Sequence, residues 1–338
     1  MQIDIEQHDQ LLAYLHETGR ISAREQPRFH TLAGGVSNKT VLVERPAGND
    51  WVLKQALEKL RVAVDWFSSP ARIHREAAGL RWLAQFAPAG TITPFVFEDH
   101  ANHILAMSAV PPPHANWKTL LLAGDLQHDH IVLFGQLLGA IHRASAERRT
   151  AVAAAFDDRS FFETLRVEPY YAYSAAQVPA AAPFIHALIA ETRATRATLV
   201  HGDYSPKNLL VHNRRLVLLD HEVIHFGDPA FDLGFSLTHL LSKAHHLAAR
   251  RADFATAAHL YWQTYRATIG DLAWATGLEA RAVRHTLACL LARVAGRSPL
   301  EYLSVQEQRQ QRDAVVALIH APPATVAALV TEFCQRID

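Results

Sequence analysis

The stretch HGDYSPKNLLV, residues 201–211, runs directly into HNRRLVLLDHE, residues 212–222, and its reading decides the rest of the chain. The apolar runs before His201 and after Asn208 look like short strands, so Tyr204-Ser205-Pro206-Lys207 reads as a loop presenting Asp203 and Asn208 on one side. RRLVLLD then pairs back through the His212-Asn213-Arg214-Arg215 turn, which brings Asp220 to the same end of the hairpin as Asn208. Glu222 follows two residues later. Buried carboxylates are costly unless something positive meets them. Either these groups cap turns and begin a loop, or they hold a cation.

Asparagine and aspartate oxygens suit a hard divalent ion such as magnesium, with Glu222 available for a second ion. Asp203 is then free to accept a hydrogen bond from an attacking hydroxyl, a role that depends on position. Asp-x4-Asn followed by a strand ending in Asp is the order used for phosphoryl transfer. Such chemistry also needs a strand lysine to grip phosphates and a helical glutamate to hold it. Lys54 in WVLKQA and Glu76 in IHREAAGL supply both, in order.

Ahead of Lys54, GGVSN offers Gly34, Gly35, Ser37 and Asn38 as a turn whose N–H groups can lie over phosphates. By position, Met107 and Ala109 border an apolar slot for a base. Arg293, Trp117 and Lys118 are the candidates for an acceptor site. A lone strand lysine or a Gly-Gly turn is ordinarily solvated edge and ordinary turn, so their conjunction with the hairpin carries the reading.

Composition narrows the class. With 49% hydrophobic and 20% charged residues over 338 positions, the chain is globular and long enough for two domains or one bilobal unit. Lys plus Arg equals Asp plus Glu, so no overall field gathers nucleic acid. Cys289 and Cys334 make no disulfide framework. The polar start MQIDIEQHDQ does not read as a signal peptide, and no apolar run is long enough for a membrane span, so a cytoplasmic protein is expected. HEVIH, residues 221–225, has a zinc-protease form, but it continues a strand-like run, where the two imidazoles would lie roughly 13 Å apart. Monomer and homodimer remain equally open.

A helix is expected over 8–18, then strands TVLVE and WVLKQA joined by the PAGND turn. ARIHREAAGLRWLAQF, after Pro70, has Ile73, Ala77, Leu80 and Leu83 at helical spacing. TPFVFEDHANHILAMSAV gives two more strands, and Pro111-Pro112-Pro113 should end them. Beyond, 129–146, 183–196, 231–248, 253–268 and 276–295 look helical, and only 199–226 looks like strand. The expected architecture is α+β and bilobal, with an ATP-binding lobe over 1–111 and a helical lobe over 112–338 that carries the catalytic loop, metal ligands and acceptor site.

GGVSNKT, VLKQAL, the Glu76 helix, HGDYSPKN and LLDHEVIHFGDPAFDLG together resemble the aminoglycoside phosphotransferase and choline kinase superfamily, small-molecule relatives of protein kinases. The resemblance implies a protein-kinase-like fold, with Asp203 as catalytic base and Asn208 and Asp220 on magnesium. It also implies that Glu222 assists, that Lys54 paired with Glu76 contacts ATP or GTP phosphates, and that His201 and Asp232 brace the loop. VLKQALEKLRV with Trp66 is further similar to methylthioribose kinases. Those, however, typically lack an asparagine at the position of Asn208 and carry a proline between the two acids where this chain has DHE. Residues 250–338 hold ten arginines against eight acids, an unsuitable surface for polycationic drugs. A small-molecule hydroxyl acceptor is expected. The alternatives are a protein kinase, disfavoured because GDPAFDLG leaves no room for a long activation loop, and a non-catalytic nucleotide-binding regulator.

Overall fold

The computed structural model describes residues 3–33, 35, 37–46, 48–61 and 65–338, so Gly34 of the glycine turn lies outside the described residues. Five strands, β1 (Arg28–Thr31), β2 (Asn38–Glu44), β3 (Trp51–Ala56), β4 (Phe95–Asp99) and β5 (Ile104–Ser108), form an antiparallel sheet in the order β1-β2-β3-β5-β4. Their side chains alternate between faces. Trp51 and Leu53 join Val41, Val43 and Phe97 against Leu11, Tyr14 and Leu15 of helix α1 (His8–Glu17). The opposite face, with Val52, Leu105 and Met107, packs on Ile73, Ala77 and Leu80 of α2 (Arg72–Phe86). Lys54 falls on the α2 face by this alternation, which is why a strand residue and a helix residue can meet there.

The two strands end before the three prolines as expected, but strand returns beyond them, where the sequence reading placed strand only over 199–226. β6 (His114–Asn116) begins just after them and pairs with β8 (Leu209–His212), matching His114 with His212 and Asn116 with Leu210. α3 (Trp117–Leu122) follows, capped by the Asn116 side chain, which accepts from Lys118 N–H. β8 returns as β9 (Arg215–Leu218) through Asn213 and Arg214, both at positive φ (47° and 60°), the conformation a two-residue hairpin turn requires. β7 (Thr198–Val200) pairs with β10 (His225–Gly227) and so closes the base of the segment between them. HEVIH is therefore neither helix nor continuous strand: it turns at His221–Ile224, where Ile224 N–H donates to His221 O (3.2 Å), before β10 begins.

The helical part is organised around Ala230–His246, which is buried along its length from Ala230 to His245. An apolar stripe alone would not bury a helix all round, and this one carries Ser236, Thr238, His239, Ser242 and Lys243 inward as well. Gly234 lets Leu278–Ala295 approach, because a Cβ there would lie 2.4 Å from His285 Cβ. Residues 148–181, without a clear pattern in the sequence, fold as Arg149–Phe156 and a π-helical segment, Glu163–Ala172. Pro169 within it has no N–H to give the Thr164 carbonyl five residues back, which accepts instead from Trp66 Nε1 (3.2 Å). Among the described residues no helix is long and apolar enough to cross a membrane.

Candidate active site

The catalytic loop is fixed from below. Asp232, at the start of Ala230–His246, accepts from His201 N–H (2.7 Å) and Gly202 N–H (2.8 Å), and its Oδ2 also lies 3.2 Å from His142 Nε2. Burial raises the Asp232 carboxyl, but His142, His201 and these backbone donors outweigh it and hold the group below the usual range. Gly202 sits at φ 77°, and a Cβ there would press within 3.0 Å of Val223 O, so only glycine fits. Tyr204 stacks on Phe134 (4.6 Å) and donates to its carbonyl (2.8 Å), anchoring the loop to the core.

His201 is neutral. Burial pushes its pKa down, and Nδ1 accepts from Asp203 N–H (3.2 Å), so the proton belongs on Nε2, 3.1 Å from His221 Nδ1. His221 and His225 are likewise buried and shifted down, His225 to about 4 through desolvation. The unfolded chain protonates these imidazoles near 6.5, and the folded chain protonates His225 only near 4. Between those values the unfolded state binds more protons, so stability present above pH 6.5 is lost as pH falls towards 4. The slope is about 1.4 kcal/mol per pH unit for each such histidine. Urea midpoints should fall steeply on acidification, less so in His225→Gln; a flat profile across this window would contradict the assignment.

Asp203 is held by one oxygen. Its Oδ2 accepts from Asn208 Nδ2 (2.7 Å) and lies 2.9 Å from Arg166 Nη2, while Oδ1 has no hydrogen-bond partner among the described residues. Arg166 itself is buried and also donates to Gly202 O (2.7 Å). Burial opposes its charge, yet the Asp203 carboxylate raises its pKa. Sequence reading missed Arg166.

Lys54 Nζ lies 2.7 Å from Glu76 Oε1 and 2.9 Å from Asp220 Oδ1. Burial would discharge the lysine, but the two carboxylates hold its pKa above the ordinary value. Desolvation pushes Glu76 up to about 7 against the pull of Lys54. Burial also raises Asp220, but Lys54 and Lys207 overcome it and keep Asp220 ionised. Asp220 adopts φ 67°, which a short polar side chain tolerates. Leu219 N–H donates to Asn208 O (2.9 Å), so the two arms of the hairpin present Asn208 and Asp220 side by side.

Glu222 is less free than the sequence reading supposed. Its Oε2 accepts from Arg72 Nε (3.1 Å) and Asn38 Nδ2 (3.2 Å), leaving Oε1 for another ligand. Arg72, fully buried and also missed, donates to Ser37, Leu57, Ser68 and Ser69 carbonyls as well. It ties the glycine turn, the end of β3, the start of α2 and the hairpin acids together.

A cavity of about 890 Å³ joins these groups. Gly35, Ser37, Asn38, Met107 and Ala109 line it on the sheet side, and Asp203, Asn208, Asp220 and Glu222 on the other. Ala109 N–H is committed to Asp50 O (2.8 Å), whereas Val110, also lining the cavity, has an N–H with no partner among the described residues. Lys118 and Arg293 line the cavity too. Trp117 does not, which corrects its assignment to the acceptor site. α3 turns it inward, fully buried edge-on against Phe134 (4.9 Å).

Residues 28–270 match the model of the phosphotransferase enzyme family. Among solved structures, macrolide 2'-phosphotransferase MphH from Brachybacterium faecium is similar at 20% identity and TM-score 0.53, covering 93% of this chain and 99% of its own. Amicoumacin kinase hAmiN, in complex with AMP-PNP, Ca2+ and Ami, aligns at 14% identity and TM-score 0.60 over 93% and 94% of the two chains. A microcompartment-associated aminopropanol kinase aligns at 17% and 0.58 over 96% and 99%. No curated protein matches in sequence. At these identities the structural neighbours speak to the fold, a kinase-like one with an N-terminal antiparallel sheet and a helical C-terminal part. The family match covers most of the chain, and with it the resemblance read from HGDYSPKN and its companion motifs becomes membership: the chain belongs to the phosphotransferase enzyme family.

Proposed function

We propose that the chain transfers the γ-phosphoryl group of ATP, in the presence of magnesium, to a hydroxyl of a small molecule. The observation that carries this reading is the Oδ1 of Asp203, which has no partner among the described residues and shares one side of the cavity with an all-oxygen set: Asn208 Oδ1, the Asp220 carboxylate and Glu222 Oε1. Oxygen-only donors fit magnesium rather than a thiophilic metal. Asn208 and Asp220 would hold the ion, with Glu222 assisting. Bound magnesium neutralises charge on the phosphate oxygens.

The chain's own residues do the rest. Lys54, kept protonated by Glu76, exchanges Asp220 for the nucleotide's phosphates. Gly35, Ser37 and Asn38 cover them, with Arg72 fixing Ser37 and Asn38 reaching Glu222. The base rests in the slot beside Met107 and Ala109, where the Val110 N–H offers the backbone donor. Asp203 Oδ1 accepts the proton of the acceptor hydroxyl. Arg166 and Asn208 lock Oδ2, so the carboxylate cannot rotate away, and catalysis is mostly positioning. The AMP-PNP complex of the amicoumacin kinase supports ATP as donor.

The test is ADP release from ATP across a panel of alcohols, with and without magnesium. Asp220→Asn should raise the magnesium concentration needed for half-maximal turnover by roughly tenfold to hundredfold. Release independent of magnesium, or an unchanged requirement in Asp220→Asn, would remove the proposal.

A further inference from the structure

Arg293 is 7% exposed and lines the cavity, yet no carboxylate lies within ion-pair distance of it among the described residues. Its partners are neutral: Tyr170 OH (3.0 Å), Ser298 O (2.9 Å), Ser298 Oγ (3.3 Å) and His239 Nε2 (3.2 Å). Its Nε has no partner among the described residues. Among the described residues the other two buried arginines are both answered, Arg72 by Glu222 and Arg166 by Asp203.

One turn along Ala230–His246 from His239, Lys243 is fully buried and donates only to His239 O (3.2 Å). Burial, Lys118 and Arg293 push its pKa down to about 7. Burial and the same neighbouring cations also hold His239 neutral. Lys118 pairs with Glu301, the one acid of the cluster, which stands at the rim with most of its side chain exposed. Tyr302 OH, whose ring faces Lys118 (5.9 Å) and Lys243 (5.5 Å), is buried without a partner among the described residues.

A buried guanidinium left without a counter-charge is strongly unfavourable, and a second buried amine beside it adds to the deficit. The arrangement calls for an anion from outside the chain. Its place relative to the chemistry is also fixed: Arg293 and Arg166 flank the same two rings, Tyr170 (5.1 and 5.5 Å) and Phe235 (5.3 and 5.8 Å). An anion on Arg293 is therefore a small molecule's length from the Asp203 that Arg166 holds.

Building on the phosphoryl-transfer reading, we propose that the acceptor is an anionic alcohol, whose carboxylate or phosphate is held by Arg293 and Lys118 while its hydroxyl reaches Asp203. The buried positive charge of this end disfavours amino alcohols and aminoglycosides, whose ammonium groups would meet the unanswered Arg293 beside a Lys118 that Glu301 only balances.

The test is calorimetric titration of the intact protein with four compounds of one carbon skeleton: glycerate, glycerol 3-phosphate, glycerol and 3-aminopropane-1,2-diol. At least one anionic member should bind about tenfold or more tightly than the neutral and cationic ones, the low end for a charge-assisted hydrogen bond. The two anions separate carboxylate from phosphate recognition. Arg293→Met should abolish the preference and Arg293→Lys should keep part of it, with circular dichroism checking that both fold. Equal binding of all four, tighter binding of the amine, no binding of either anion at millimolar concentration, or a preference that survives in Arg293→Met would each overturn the proposal. Titration of the same samples with ATP and magnesium tests the transfer reading separately: anion preference without nucleotide binding sinks that reading and leaves the anion site standing.

Discussion

Asp203→Ala should lower kcat by roughly 10²–10⁴-fold while leaving the KM for ATP unchanged. The expectation rests on the division of labour within one carboxylate. Oδ2 is occupied by Asn208 and Arg166, and Oδ1 has no partner among the described residues. Alanine removes the proton acceptor without touching Lys54, Glu76 or the slot beside Met107. Asp203→Asn should be nearly as slow, because it preserves shape but cannot take a proton. Steady-state ADP release with a competent alcohol checks both, and a rate close to wild type in either variant would refute Asp203 as the base.

Arg72→Met should destabilise the fold by about 3–5 kcal/mol, the range for removing one partner of a buried ion pair. Arg72 is fully buried and donates to four carbonyls and to Glu222. Methionine fills much of the same space, so the loss would come from orphaned acceptors and an uncompensated Glu222 rather than from a cavity. Urea unfolding of Arg72→Met, Glu222→Gln and the double variant tests this, and the double should cost clearly less than the two singles added. Strict additivity would show that the pair does not couple.

Much of the site was legible because it is local. Asp203, Asn208 and Asp220 lie on one hairpin, and hairpin register follows from turn residues and strand length. Lys54 and Glu76 were legible for a related reason: a two-residue period on β3 and a 3.6-residue period on α2 define which faces can meet. Arg166 was not, because its segment carries no clean period and Pro169 forces the widened helix that aims it at the loop. Arg72 lay in view within ARIHREA, but nothing local says that a charged residue at a helix start points inward. Trp117 was misplaced for the same reason: its position after the prolines is readable, but the inward turn of α3 is a tertiary outcome. The Ser304-x-x-Glu307 capping box that starts Val305–His320 was available in the sequence and went unused.

The anionic character proposed for the acceptor belongs to the same category. Net charge over residues 250–338 says only that no acidic surface is present, whereas the decisive fact is that Arg293 and Lys243 are buried with no acid in ion-pair distance among the described residues. Charge counted along a chain does not reveal which charges lose their solvent.

The most direct measurement is a crystal structure with a non-hydrolysable ATP analogue and manganese, using anomalous scattering to locate the metal. The account predicts a manganese peak at roughly 2.0–2.3 Å from Asn208 Oδ1 and an Asp220 oxygen, with Lys54 turned to the phosphates and Asp203 Oδ1 facing the terminal one. A metal bound elsewhere, or a nucleotide whose terminal phosphate points away from Asp203, would contradict it.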